Sequence, residues 1–141
     1  LDNKLKIRIS SRIIKKSINY RTIIFFNKIN KKKIKLLRKL KIKIYRIPLD
    51  NHGNLDLKKS LVKAKKLGFS RIFLESGVKL TTNFLNKNLI NDFKLIISNK
   101  KLGKDGDGNI KKYFRLFLHN KKNTIEKVNL FGEKLMTYKL K

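Results

Sequence analysis

A chain of 141 residues with 40% apolar content is enough for one domain with a buried core, and the lack of any Cys excludes a disulfide framework, a thiolate metal site and a cysteine nucleophile. A net charge of +29 points first to polyanions, but Lys far outnumbers Arg, Ile and Asn are abundant as well, and drift toward A- and T-rich codons explains all three where nucleic-acid binding explains one. No apolar run approaches the ~20 residues that a membrane-spanning helix needs, and the absence of Cys agrees with a reducing cytoplasm, the expected location.

Leu1-Asp2-Asn3 already reads as a strand and no signal-peptide pattern precedes it, so the chain is expected to continue upstream. Thr22 to Asn27, β-branched and aromatic, predicts a strand. Asn30 can cap a Lys-rich helix running to Leu40, with Ile34, Leu37 and Leu40 on one face. Ile42, Ile44, Tyr45 and Ile47 predict the next strand, ended by Pro48. Asp50 to Asn54 is turn chemistry, and Asp56 is the expected N-cap of a helix carrying Leu57, Leu61, Ala64 and Leu67, with Gly68 as the residue just past its end. Arg71 to Glu75 predicts a buried strand, about Lys79 to Lys87 a helix, and Asp92 to Ser98 another strand. Val128 to Phe131, Gly132-Glu133 and Leu135 to Leu140 predict an antiparallel hairpin on an edge. With few Gly, one Pro and no repeat, the chain reads as one α/β layered domain with a largely parallel central sheet; periodicity alone leaves a flavodoxin-like strand order equally open.

The junction Arg71 to Asn83, RIFLESGVKLTTN, carries the most chemistry. A strand that passes through Gly77 into a helix leaves the first backbone N–H groups without partners, at the positive end of the helix dipole. Such a terminus suits a phosphate, with Lys79 supplying a cation and Thr81 and Thr82 two hydroxyls; Gly77 as a plain turn residue is the alternative. Elsewhere the signals are weaker. The Asp105 to Asn109 loop imitates a calcium site, but position 116, where a bidentate Glu belongs, is Leu. His52 and His119 stand in no triad or ligand spacing, no metal site is expected, and Tyr113, Phe114 and Phe117 alternate with leucines as core residues do.

Glu75-Ser76-Gly77, Phe84-Leu85 and Leu89-Ile90-Asn91-Asp92 resemble, in register, the "E-(G/A)-G-x-x-L…F-L…L-V-D-E" core of the reductase domain of bacterial riboflavin-biosynthesis deaminase/reductases. Lys100-Lys101-Leu102-Gly103 is similar to that family's "P-K-L-L-G", Leu1-Asp2-Asn3 with Ser11-Arg12 to "V-L-D-S…S-R", and Ile47-Pro48 through Leu57 to "L-P…G-x-(L/V)-D-L". Asn3 stands where Ser is usual, Ser76 where Gly or Ala is, and Val78 and Asn99 where Pro is. The resemblance implies a three-layer dihydrofolate-reductase-like fold with a mixed, largely parallel sheet and a C-terminal hairpin, residues 1–141 being the C-terminal part of the reductase domain. It further implies NADPH-dependent reduction of 5-amino-6-(5-phosphoribosylamino)uracil to its ribitylamino product; a related reductase of another pterin or pyrimidine, or a basic nucleic-acid-binding domain, would be the alternatives. By match to the motif, Glu75 would contact the substrate, and Gly77, Val78, Lys79, Leu80, Thr81, Thr82 and Asn83 would cradle the cofactor phosphates, with Asn3 a further cofactor contact. No residue is assigned as a proton donor. A homodimer, a zinc deaminase domain fused upstream and inactivity of these residues alone are further expectations; membrane and nucleic-acid partners are not expected.

Overall fold

The computed structural model describes residues 1–98, 114, 117–127 and 132–141, and the chain divides into two compact units, Leu1–Ile72 and Phe73–Lys141. Expectations that fall on the Lys100 to Gly103 element, on the Asp105 to Asn109 loop, on Tyr113 and on Val128 to Phe131 lie outside the described residues.

In the first unit, helix α1 (Arg12–Lys15) and one 3-10 turn precede strand β1 (Ile23–Phe26), followed by helix α2 (Lys31–Lys39), strand β2 (Lys43–Arg46) and helix α3 (Leu57–Lys66). β1 and β2 pair in parallel, Ile23 opposite Lys43 and Phe26 opposite Arg46. The carbonyls of Thr22 and Phe26 accept bonds from the β2 side, whereas Phe25 accepts from Asp2 N–H at 2.9 Å. Alternate carbonyls of a strand point to opposite edges, so the Leu1–Asn3 segment lies along the edge of β1 away from β2. Asp2 then closes a loop by accepting from the N–H groups of Lys6 (2.9 Å) and Ile7 (2.8 Å).

The layers follow from side-chain alternation. Ile24, Phe26 and Ile42 pack with Ile14 of α1, Leu37 of α2 and Leu5, against which Ile34, Leu40 and Ile44 also lie. Tyr45, one residue on from Ile44, faces the opposite way and meets α3, where Lys63 Nζ stands 4.4 Å from its ring centroid. Helices thus cover both faces of the parallel pair.

The helix ends are chemical stops. Asn30 Oδ1 accepts from Lys33 N–H and Asp56 Oδ1 from Lys59 N–H, both at 3.0 Å, as N-caps do. At the end of α3, Phe69 N–H donates to Ala64 O (3.2 Å) and Gly68 N–H to Lys65 O (2.9 Å), a Schellman motif that needs the positive φ of +92° at Gly68. Replacing Asp56 by Ala is expected to cost about 1 kcal/mol, read as a lower urea midpoint with an unchanged slope.

The second unit holds helix α4 (Val78–Asn86) and strands β3 (Asp92–Ile97), β4 (Asn123–Lys127) and β5 (Lys134–Lys139) in the order β3-β5-β4, all antiparallel. Phe93 opposite Tyr138 and Leu95 opposite Met136 present one apolar face, which packs with Leu85 of α4 and with Phe114. β4 and β5 pair in antiparallel fashion near the C-terminus, with β5 in the middle of its sheet and not on an edge. The α/β class holds, with a parallel pair and an antiparallel sheet.

The strand expected at Arg71 to Glu75 does not form: residues 71–77 adopt no regular element, and Ile72 and Phe73 are 52% and 85% exposed. An apolar run becomes a strand only when neighbours pair with its backbone, and among the described residues none does. No described helix is long and apolar enough to cross a membrane.

Candidate functional site

α4 starts at Gly77, whose backbone is extended (φ −66°, ψ 165°) and which offers no side-chain cap. The first intrahelical bond runs from Thr81 N–H to Gly77 O at 3.1 Å, so the N–H groups of Val78, Lys79 and Leu80 carry no helical partner. Three aligned donors at a positive dipole end form an anion-binding surface, and Lys79 beside them is exposed. Phe84 and Leu85, buried, fix the far end of the helix, which closes on Asn88 in the left-handed region (φ 51°) with Leu89 N–H bonded to Phe84 O at 3.0 Å.

Gly77 is not demanded by its own backbone. Its φ is open to any residue, and a Cβ built there meets nothing within 4 Å, so the fold itself does not require Gly. What Gly leaves at this point is free room over the bare N–H groups.

The two hydroxyls have different surroundings. Thr81 Oγ1 lies 2.9 Å from Ser76 Oγ and donates to Ser76 O at 3.3 Å, which ties the residue before the turn to the first helical turn. Thr82 Oγ1 is buried without a hydrogen-bond partner among the described residues. Ser76 was not among the predicted site residues, and the Ser-x-x-x-x-Thr spacing across the helix start is the signal that would have found it. Val78, Leu80 and Asn83 are half-buried along α4, and Glu75, two residues before Gly77, is exposed.

Asn3 belongs to the first unit. Its Nδ2 donates to Gly53 O at 3.1 Å, and its carbonyl accepts from Asn27 N–H (3.0 Å) and Lys28 N–H (2.9 Å). Asn27 Nδ2 in turn donates to Ile47 O at 2.8 Å. Asn3, Asn27, Ile47 and the Asp50–Asn54 turn are thus joined at the carboxyl ends of the parallel strands, the edge where open α/β sheets receive ligands. Asp50 Oδ1 sets that turn by accepting from His52 and Asn54 N–H, each at 3.0 Å. The predicted residues therefore fall into two groups, Glu75 and Gly77 to Asn83 at the start of and along α4, and Asn3 at the strand ends of the first unit. No group of three or more His, Cys, Asp or Glu among the described residues could hold a metal ion.

No curated protein matches the chain. Solved structures do: RibD of Acinetobacter baumannii superposes with a TM-score of 0.65 at 14% identity, over 98% of this chain and 35% of that one. A pyrimidine reductase-like protein of Corynebacterium diphtheriae gives 0.66 at 14% identity, over 97% of this chain and 58% of that one. The chain thus spans about a third of the length of the first and somewhat over half of the second. At this identity the superpositions establish the fold. The sequence profile of the RibD C-terminal domain matches residues 1–135, and the chain belongs to that family.

Proposed function

We propose that these residues form the C-terminal part of an NADPH-dependent reductase domain that acts on 5-amino-6-(5-phosphoribosylamino)uracil in riboflavin synthesis. The observation that carries the reading is the start of α4, where three unpartnered N–H groups, the exposed Lys79 and the open space at Gly77 suit a dinucleotide phosphate. When bound, the nicotinamide would supply the hydride for the reduction.

The residues of this chain orient the reactants. Val78, Lys79 and Leu80 N–H groups hold phosphate oxygens, the Lys79 ammonium adds a mobile charge, and the Ser76–Thr81 bond keeps the turn in shape for them. Leu80 and Asn83 belong to the cofactor side of the same helix. Asn3, engaged with Gly53, serves by fixing the strand-end loops as well as by contact. Glu75, exposed at the entrance to this turn, accepts hydrogen bonds from the polar groups of the substrate. Family membership and the superposition with a pyrimidine reductase-like protein support the substrate class. A homodimer and a deaminase domain encoded upstream belong to the same proposal.

The test is substrate-dependent oxidation of NADPH, measured on the chain with whatever its reading frame adds before Leu1. Turnover of the phosphoribosylamino pyrimidine, with none of dihydrofolate, is the expected result. Glu75→Gln is expected to raise KM for the pyrimidine about tenfold or more while the affinity for NADPH stays constant, as loss of a charged hydrogen bond would. Turnover of dihydrofolate in preference to the pyrimidine would contradict the assignment.

A further inference from the structure

The charge is not shared evenly between the two units. Leu1–Ile72 carries 23 of the 38 Lys and Arg and three of the nine acids, a net +20, whereas residues 73–141 carry 15 and six, a net +9. Codon drift acts on both alike and accounts for the mean but not for the difference. The three carboxylates of the first unit, Asp2, Asp50 and Asp56, all accept backbone N–H groups at turns or a helix start, and none lies on α2.

On α2 the cations are ordered. Lys31, Lys32, Lys35, Arg38 and Lys39 are all exposed, and at about 100° per residue they fall within an arc of about 120°. Lys31, Lys35 and Lys39 succeed one another at about 6 Å of helix rise. Leu36, 42% exposed, lies at the margin of the arc. Helix α3 is different: Lys58, Lys59, Lys65 and Lys66 are exposed, but Val62, 55% exposed, occupies the middle of its arc.

The chemistry of the α2 face selects its partner. The apolar side of the helix is spent in the core, through Leu37 and Ile34, so no face remains to enter a membrane. Protein interfaces are depleted in Lys and built on aromatic or apolar anchors, which the arc lacks. It also lacks aromatic platforms for bases to stack on, and Arg38 is its one Arg beside four Lys. Singly charged groups repeated along a line remain. We infer that the exposed face of α2 is a sequence-independent binding surface for the phosphate backbone of a nucleic acid.

Fluorescence anisotropy with a labelled mixed-sequence DNA duplex of about 20 base pairs, without any nucleotide cofactor present, tests this independently of the reductase reading. Two triple variants are compared with the unmodified chain at about 0.15 M salt: Lys31→Gln, Lys35→Gln, Lys39→Gln on α2, and Lys58→Gln, Lys65→Gln, Lys66→Gln on α3. Both remove the same charge from exposed helix positions where Gln is a good helix former, and circular dichroism verifies their folding. The α2 variant is expected to lose affinity on the order of a hundredfold and to flatten the salt dependence by about three ion equivalents, with the α3 variant losing about fivefold or less. Equal losses in the two variants, no binding by the unmodified chain at this salt, or capture by anionic vesicles without capture by DNA would each overturn the inference.

Discussion

Leu37→Ala is expected to lower the stability of the first unit by about 2–5 kcal/mol, enough to unfold much of it at room temperature. Leu37 is fully buried, at 0% exposure, and packs with Leu5, Ile14, Ile24, Phe26 and Ile42, residues from the N-terminal loop, α1, β1 and the turn into β2. Ala at this site leaves a cavity that several elements must share. Hydrogen exchange of the β1 and β2 amides reports it: protection is expected to fall by orders of magnitude, whereas Leu36→Ala on the exposed side of the same helix changes little. Retained protection of β1 and β2 in Leu37→Ala would mean that this core is not what holds the parallel pair.

Phe93→Ala is expected to have the largest effect in the second unit, about 3–5 kcal/mol. The Phe93 ring meets Phe114 edge-on at 5.1 Å (62°) and Tyr138 at 6.4 Å (51°), in the cluster where Leu85 anchors α4 to the β3-β5-β4 sheet. Removing it loosens the far end of the helix whose start is the candidate phosphate site, so NADPH affinity should fall together with the melting temperature. Phe93→Leu, which retains most of the volume, is expected to lose about 1–2 kcal/mol and keep binding. The ion pair between Lys139 Nζ and Asp92 Oδ1 (2.6 Å), solvent-exposed on the same strand pair, contributes far less by comparison.

What the sequence makes legible is local chemistry. Asn30 and Asp56 declare their helices because a short polar side chain can reach the N–H three residues on, and Gly68 ends α3 because only a residue at ease with positive φ closes that motif. Asn88 plays the same part after α4 with a side chain that also tolerates the left-handed region, a weaker mark in sequence than Gly. The parallel pair and the α2 core follow from the spacing of Ile34, Leu37 and Leu40.

Pairing is less legible than propensity. Ile72, Phe73 and Leu74 have every local feature of a buried strand, but strand formation is settled by partners distant in sequence, and in this structure the run stays unpaired among the described residues. The start of α4 was legible as backbone chemistry and not as side-chain chemistry. A helix N-terminus after Gly77 presents bare N–H groups whatever its side chains do, whereas the direction of a Thr hydroxyl depends on rotamer and neighbour. Thr81 turns to Ser76 and Thr82 into the interior, and Asn3 engages Gly53, fifty residues away in sequence.

Titration calorimetry of NADPH, against the chain with any residues its reading frame adds before Leu1 and against Gly77→Val, tests the phosphate site at the start of α4 most directly. Because a Cβ at Gly77 meets nothing within 4 Å beyond its chain neighbours, the substitution is expected to leave the fold in place while adding bulk next to the Val78, Lys79 and Leu80 N–H groups. Micromolar binding of NADPH that survives moderate salt is expected, with a loss of about tenfold or more in Gly77→Val, about 1.4 kcal/mol, and a nearly unchanged melting temperature. Equal affinity of the two proteins, or binding by neither, would contradict the phosphate site.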